Sequence, residues 1–331
     1  MKKVLIISFL FSIALFAQPK FSSMAGMPGA FSRMGFGARG IGMGNAMAAV
    51  TEGNLVSYYN PAVTVFQDGN SFQTSYTFLS LDRSLNYLNY TRRFDFYSST
   101  DKRPDRKPRS SAGISIGVIN AGVSNIIGAD NSGAKTGDLS TSENQFFLGF
   151  SNRFSEKFSI GIAAKFYYYK LYEKINASGL GLDFGALYKF SESWNAAVVV
   201  TDINSKYRWD TAPVYGQEGT TTEDKFPLLK KIGLSYFNKE KGLLASCEFE
   251  TSGSGTNILR GGVEYNIFER LFLRGGIDQF NLSNSDWLSR PSAGFSYTQL
   301  IGSFAVGVDY AFMMEQYSPY DRHVIGINIV F

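Results

Sequence analysis

The 331-residue chain contains one cysteine, one histidine and, after its first residues, no apolar run near the length of a membrane-spanning helix. The single cysteine, Cys247, excludes an internal disulfide. The single histidine, His323, argues against a histidine-based catalytic triad and a histidine-rich metal site. Without an apolar run of about 20 residues, the mature chain can cross a membrane only as a closed barrel.

The chain also has only a small net charge. The formal net charge is +4, with 32 Lys and Arg against 28 Asp and Glu. Nucleic-acid binding requires a dense basic face, so no nucleic-acid partner is expected. The sequence predicts no bound cofactor and no metal site.

The N-terminus has the layout of a secretory signal peptide. Lys2 and Lys3 form a basic head, residues 4–17 are apolar, and Ala17 closes a plausible cleavage site. A single membrane anchor is the alternative, but this run is shorter than the roughly 20 residues that span a bilayer. No cysteine lies near the cut, which argues against a lipoprotein. We therefore expect residues 1–17 to be removed on export.

Glycine and aromatic residues are abundant. The chain has 34 Gly, 29 Phe and 19 Tyr, and aromatic residues make up 15% of it. The mean hydropathy is only −0.09. In a membrane barrel, lipid-facing and lumen-facing side chains alternate, so a neutral average is expected, and aromatic residues form girdles at both interfaces.

Strict alternation marks the strands. Between Phe158 and Lys170, apolar residues fall on one face, while glycine, Lys165 and tyrosines fall on the other. A soluble antiparallel sandwich would also alternate, but its polar face would be rich in Lys, Glu and Thr. Glycine and isolated charges suit a crowded lumen better. By the same parity, Cys247 is predicted to be a small lipid-facing side chain.

Such segments number about fourteen, so the predicted fold is an all-β transmembrane antiparallel barrel. Tight turns alternate with longer polar connections, which we expect on the outer side. The predicted outer loops are residues 124–142, 204–226, 281–290 and 314–321. The connection at 96–109 is a misfit, because parity demands a short periplasmic turn there: either the register is wrong or this is an insertion.

Several charged residues are predicted to point into the lumen and to pair across the strands, which would make the barrel rigid. Paired carboxylates can also perform acid–base catalysis, but every polar barrel interior supplies such groups, so no enzymatic activity is expected. The predicted lumen charges are Lys165, Asp183, Arg260, Glu264, Arg274, Asp278 and Asp309.

The last nine residues alternate through to Phe331, with His323 at the predicted rim. This ending resembles the terminal strand of bacterial outer-membrane barrels. In that class the C-terminal residues, often a phenylalanine, are the address that the barrel-assembly machinery reads. The resemblance implies that Phe331 is an assembly signal and that the chain is located in the outer membrane of a Gram-negative-type bacterium.

A glycine-rich segment precedes the strands. Gly35, Gly37 and Gly40 have the G-x-G-x-x-G spacing of dinucleotide-binding turns, but that motif requires a preceding strand and a βαβ unit. Here it follows a signal peptide and precedes hairpins. The small residues are better explained by tight backbone packing inside a barrel.

The same segment carries a recognisable signature, which closely resembles the N-terminal motif of the PorV/PorQ family. That family is similar in turn to FadL-type outer-membrane transporters. Three positions depart from the family pattern. Asn45 stands where the family usually has Gly, Tyr59 where it often has Trp, and Val63 where it often has Gly. The motif residues are Gly37, Arg39, Gly44, Asn60, Pro61 and Ala62.

The resemblance implies a fourteen-stranded barrel (residues 67–331) with an N-terminal plug (residues 18–66). Asn60 and Pro61 suit the junction between the two, because proline disfavours helix in the residue before it and asparagine caps turns. An ordinary loop turn is the alternative for these two residues.

Two functions follow from the resemblance: a component or adaptor of type IX protein secretion, or a channel for hydrophobic small molecules. A purely structural anchor is a third possibility. The expected partners are outer-membrane lipid, the barrel-assembly machinery and, for the first function, secretion components and their cargo; a hydrophobic ligand belongs to the second. Exposed aromatic residues anchor interfaces, so Trp209 and Tyr215 in the 204–226 loop are predicted contact residues.

Overall fold

The chain folds into a closed, antiparallel, fourteen-stranded β-barrel, seen here in a computed structural model. The structure describes residues 23–98, 107–284 and 286–331. The predicted signal peptide, residues 1–17, lies outside the described residues. Among the described residues, no helix is long and apolar enough to cross a membrane.

The described residues contain sixteen strands, and fourteen of them form the barrel wall. The wall strands are β1 (Asn70–Phe78), β2 (Arg83–Phe96), β3 (Ser110–Ala129), β4 (Lys135–Arg153), β5 (Phe158–Tyr172), β6 (Ile175–Lys189), β7 (Trp194–Ile203), β10 (Leu229–Asn238), β11 (Leu243–Ser252), β12 (Asn257–Phe268), β13 (Leu271–Asn281), β14 (Arg290–Ile301), β15 (Phe304–Met313) and β16 (Arg322–Val330). The other two, β8 (Lys206–Asp210) and β9 (Thr221–Lys225), form a hairpin beside β6.

Each wall strand pairs with its neighbour, and β1 closes the ring on β16 over eight residue pairs from Ser71–Val330 to Phe78–His323. The predicted strand number is therefore confirmed. We call the rim at which β1 begins and β16 ends the terminal rim, and the opposite one the loop rim. A wall of this size exceeds the roughly eight strands whose side chains alone can fill the interior.

Side chains alternate along every wall strand. In β16, Val324 and Asn328 are buried, whereas Ile325 and Ile327 are almost half exposed. Large exposed aliphatic and aromatic residues thus form the outer surface, as a lipid-facing wall requires. Cys247 is exposed on that surface.

Two of the loop predictions are wrong in part, because both regions contain regular secondary structure. Residues 124–142 are mostly strand, because β3 and β4 continue past the rest of the wall and leave only residues 130–134 as a turn. Residues 204–226 contain β8, β9 and a short helix, α2 (Ala212–Tyr215). The loop rim also has three short connections, at residues 79–82, 173–174 and 253–256, although longer connections were expected on this side.

The 97–109 connection lies at the terminal rim, with the tight turns. Pairing between β2 and β3 is continuous from Arg83–Val123 to Phe96–Ser110, so the register on either side is regular. The connection is therefore a longer segment between two regularly paired strands. Residues 99–106 within it lie outside the described part of the chain.

Residues 31–66, which we call the N-terminal segment, lie against the inner faces of the wall. Helix α1 (Ala38–Gly42) contacts β13 to β16, and the 3-10 turn Pro61–Phe66 contacts β2 to β6 on the other side. Phe36, Met43 and Tyr59 are at most 2% exposed. These residues form the main apolar core together with inward-facing side chains of the wall.

Candidate functional site: the lumen and its loop-rim mouth

Small residues allow the N-terminal segment to approach the wall closely. Gly44 has φ +59°, and a Cβ there would lie 2.6 Å from the backbone N and O of Ile277. Asn45 follows with φ 61°, also in the left-handed region. Its side chain donates to Asp278 (2.9 Å) and accepts from the Tyr59 hydroxyl (2.5 Å). The backbone turn is thus tied to β13.

Asn60, Pro61 and Ala62 begin the 3-10 turn. The Asn60 side chain accepts from the Ala62 N–H (2.9 Å) and donates to the Ala48 carbonyl (2.7 Å), so it caps the turn and ties it to the preceding chain. The opposite wall has glycine at the contact: a Cβ on Gly161 would meet Pro61, and one on Gly185 would meet Asn60. The motif therefore packs on β5 and β6.

Arg39 connects the N-terminal segment to the opposite wall. Its Nε and Nη2 lie 2.8 and 2.7 Å from the two carboxylate oxygens of Glu264, and Nη1 donates to the carbonyl of Glu52 (2.7 Å). Gly37 precedes helix α1 with φ +73°. Glu264 also accepts from Arg274 Nε (2.5 Å), its direct cross-strand partner. The arginines and Glu264 are all nearly fully buried.

A second group of charges surrounds Arg260. This guanidinium contacts the carboxylates of Asp278 (2.6 Å), Glu248 (3.1 Å) and Glu250 (3.1 Å), and Lys231 approaches the last two at 3.6 and 3.4 Å. Glu248 also accepts from the Ala48 N–H. The two cations and three carboxylates pair with one another inside the wall, which limits the large cost of burying ions.

Asp309 lies beside the first group. It accepts from the Ser296 hydroxyl and from the Asn328 amide, whose nitrogen lies at 2.6 Å. Arg274 Nη1 is 4.0 Å from its carboxylate. The structure therefore brings Glu264, Arg274 and Asp309 together through direct contacts.

Lys165 and Asp183 lie apart from the others, on β5 and β6. Lys165 Nζ is 2.7 Å from Asp183 and 3.2 Å from Asp202. Asp202 lies in a bulge of β7 with φ 61° and also accepts from the Tyr167 hydroxyl (2.5 Å). The predicted lumen charges did not include Asp202, Glu248 and Glu250, although the last two share the parity of the buried face of β11.

A cavity of about 620 Å³ opens at the loop rim, above the N-terminal segment. Arg33 lies in its lining, and burial lowers the pKa of this guanidinium from its usual value. Glu315, which pairs with Arg290 (3.3 Å) and Arg322, also lines it. The apolar part of the lining comprises Met24, Met34, Phe78, Leu79, Trp287, Tyr317 and Tyr320.

Smaller cavities lie between the N-terminal segment and the wall. One of them is lined in part by Arg39 and has a volume of about 10 Å³. Another is lined in part by Arg260 and has a volume of about 20 Å³. Each is close to the size of a single water site. The cavity of about 620 Å³ at the loop rim, which we call the mouth cavity, is large enough for a small organic molecule.

The aromatic residues of the 204–226 region have different environments. Tyr207 is fully buried against Tyr167 and Phe226. Trp209 is half-buried; its ring lies 5.3 Å from Tyr169, and its indole N–H donates to Asp224 (2.9 Å). Tyr215 in α2 is 62% exposed.

At the terminal rim, Phe331 is 46% exposed, with its ring 5.7 Å from that of Phe304. Its backbone N–H and carbonyl both pair with Asn70, so the last residue helps to close the ring. His323 lies on the outer surface and shares a hydrogen bond of 2.8 Å with the Tyr310 hydroxyl. No group of three or more potential metal ligands occurs among the described residues.

No family model and no curated protein matches this sequence. Solved structures do resemble the fold. The Pseudomonas putida toluene transporter TodX is 14% identical, with a TM-score of 0.57 over 89% of this chain and 96% of that one. A deltaS2S3 mutant of the TodX monoaromatic hydrocarbon channel has a TM-score of 0.59 at 14% identity, over 89% and 97% of the two chains.

A FadL homologue from Pseudomonas aeruginosa has a TM-score of 0.53 at 10% identity, over 87% of this chain and 96% of that one. At these identities the comparison establishes the fold alone. The chain therefore has the barrel fold of the FadL-type outer-membrane proteins.

Proposed function

We propose that this protein is an outer-membrane channel through which a small hydrophobic compound passes without an energy source. The mouth cavity carries the proposal. Its volume of about 620 Å³ lies within the roughly 300–1,000 Å³ of small-molecule sites, and its lining combines aromatic and methionine side chains with nine charged residues. The likeness of the fold to a toluene transporter supports the same proposal.

In this proposal the loop rim faces the outside and the terminal rim faces the periplasm, as in barrels whose short turns are periplasmic. The N-terminal segment acts as a plug beneath the cavity. Because the spaces around it are about the size of a water molecule, passage requires a local rearrangement of this segment. The buried charges hold the plug and the wall together, and we assign them no catalytic role.

The direct test is uptake by purified protein in liposomes. We expect toluene to enter protein-containing vesicles faster than protein-free vesicles, without an ion gradient. Equal rates in the two preparations would overturn the channel proposal. A hydrophilic solute of similar size, such as glycerol, serves as the control for leaking vesicles.

A second candidate is a component or adaptor of type IX protein secretion, of the PorV/PorQ kind. It is supported by the sequence motif around Arg39 and Asn60, and by the exposure of Tyr215 at the tip of the β8–β9 hairpin. The motif does not separate the two functions, since its residues serve packing inside the barrel. Affinity purification from native membranes tests this candidate: recovery of secretion proteins would favour it.

A further inference from the structure

The outer surface of the wall has a groove of about 340 Å³ across β16, β1, β2 and β3. Its base is at Thr74, whose neighbours Gln73 and Ser75 are buried on the lumen side. Thr74 lies directly between Ile327 on β16 and Leu88 on β2. A small side chain between two large ones leaves a depression in a surface that is otherwise convex.

One edge of this groove is a row of asparagine side chains. Asn86, Asn120 and Asn144 lie directly opposite one another on β2, β3 and β4. Asn86 Nδ2 donates to Asn120 (3.1 Å), and Asn120 Nδ2 donates to Asn144 (2.7 Å). Tyr87 and Ile119, which are adjacent in sequence to Asn86 and Asn120, are buried on the lumen side. The amides therefore face outward.

The row lies at the edge of the apolar band. On its terminal-rim side the outward residues of β3 and β4 are Ile114, Ile116, Val118, Phe146, Leu148 and Phe150. On its loop-rim side they are Gly122, Ser124, Ser142 and Ser140. An apolar band flanked by polar residues marks the hydrocarbon core and its interface, so the amides stand at interface level.

We propose that this groove binds one membrane phospholipid, with an acyl chain along Thr74, Leu88 and Ile327 and its ester linkage at Asn86 and Asn120. Each amide has two N–H donors and the row uses one, so the other can reach a linkage oxygen. A hydrogen bond of this kind is worth more where water is scarce.

The shape of the site favours a lipid chain over a second copy of the protein. The groove is concave, whereas the wall of another barrel is convex and would leave it empty. A stable protein–protein contact also needs about 800 Å² on each partner, with a surface that fits closely. The site lies on the opposite side of the wall from the mouth cavity, so it is independent of the proposed channel.

The proposal is tested by native mass spectrometry of the detergent-solubilised full chain, titrated with dipalmitoyl phosphatidylethanolamine. We expect one retained lipid per wild-type chain. Thr74→Phe should fill the groove and abolish retention, and Asn86→Leu should weaken it about fivefold, as expected for one lost hydrogen bond. Ala164→Phe adds the same ring to the outward face of β5 and should retain lipid normally.

Three results would overturn the proposal: no retained lipid in the wild type, equal retention in wild type, Thr74→Phe and Asn86→Leu, or lipid-free dimers that Thr74→Phe dissociates. The last would assign the groove to a second copy. Heat-dependent gel migration checks that each variant is folded. If Thr74→Phe does not fold, the comparison of lipid retention between Asn86→Leu and Ala164→Phe still tests the proposal. Asn86→Leu is expected to fold, because leucine suits a lipid-facing surface.

Discussion

Arg39 and Glu264 join the N-terminal segment to the barrel wall through two hydrogen bonds of 2.8 and 2.7 Å. They are 225 residues apart in sequence, and both are buried. Glu264 is also the cross-strand partner of Arg274. One carboxylate therefore pairs with two guanidinium groups, one from each of the two parts of the molecule.

Glu264→Gln is expected to destabilise the folded protein by about 3–5 kcal/mol, because it leaves buried positive charge without its partner. Urea unfolding in detergent, followed by tryptophan fluorescence, measures the change. Glu223→Gln is the matched control: Glu223 pairs with Lys206 at 2.8 Å on the surface, where a lost pair has little effect. An equally small change in both variants would contradict the proposed role of Glu264.

Gly276→Ala is expected to disturb the contact between β13 and the N-terminal segment, because a Cβ there would collide with the backbone of Gly44. Overpacking of this kind costs about 1–3 kcal/mol. The adjacent Gly275 points to the other face and has open space around its Cβ position, so Gly275→Ala should be near neutral. The same urea titration compares the two. Similar midpoints would show that the segment is not held tightly at this point.

The positions of the wall strands could be predicted from the sequence because lipid on one side and a packed lumen on the other impose a period of two. This period is no longer imposed where a strand extends beyond the membrane. At residues 124–142 both faces of the β3–β4 hairpin meet water, so apolar and polar residues no longer alternate and the strands were mistaken for a loop. The burial of Tyr207 could not be read from alternation either, because it depends on Tyr167, which is distant in sequence.

Which face a charge occupies is a local property of the strand, so the direction of Arg260 or Asp278 could be read from parity. Partners depend on the register between strands and on the path of the N-terminal segment. The meeting of Arg39 with Glu264, and of Asn60 with Gly185, could not be deduced from one sequence. The role of Asp202 depends on a bulge that alternation does not reveal.

Filling the mouth cavity should block uptake. Ala30 lines the cavity, so Ala30→Trp places a large ring in the space that we assign to the hydrophobic compound. Toluene uptake into proteoliposomes is expected to fall several-fold. Ala134→Trp, in the exposed turn of the β3–β4 hairpin, is the control and should leave uptake unchanged. Unaltered uptake in Ala30→Trp would show that the route does not pass through this cavity.

Phe331→Ala is expected to reduce the amount of folded, heat-modifiable barrel in the outer membrane. This substitution keeps both backbone hydrogen bonds to Asn70 and removes only the ring. Deleting Phe331 removes the backbone bonds as well, so a larger loss on deletion would measure their share. Normal levels of folded Phe331→Ala would count against an address function for the aromatic ring.

The β8–β9 hairpin separates the two proposed functions. Tyr215 is mostly exposed and can be replaced without unpacking the hairpin, whereas Trp209 packs on Tyr169 and bonds to Asp224. If the protein serves secretion, Tyr215→Ala should impair the release of secreted cargo while the barrel stays folded and toluene uptake is normal. Trp209→Ala should act more strongly, because it also loosens the hairpin.

If the protein is a channel alone, Tyr215→Ala should leave secretion intact, since the hairpin tip lies outside the mouth cavity. Secretion assays on cells that carry each variant, with barrel levels measured in parallel, distinguish these outcomes.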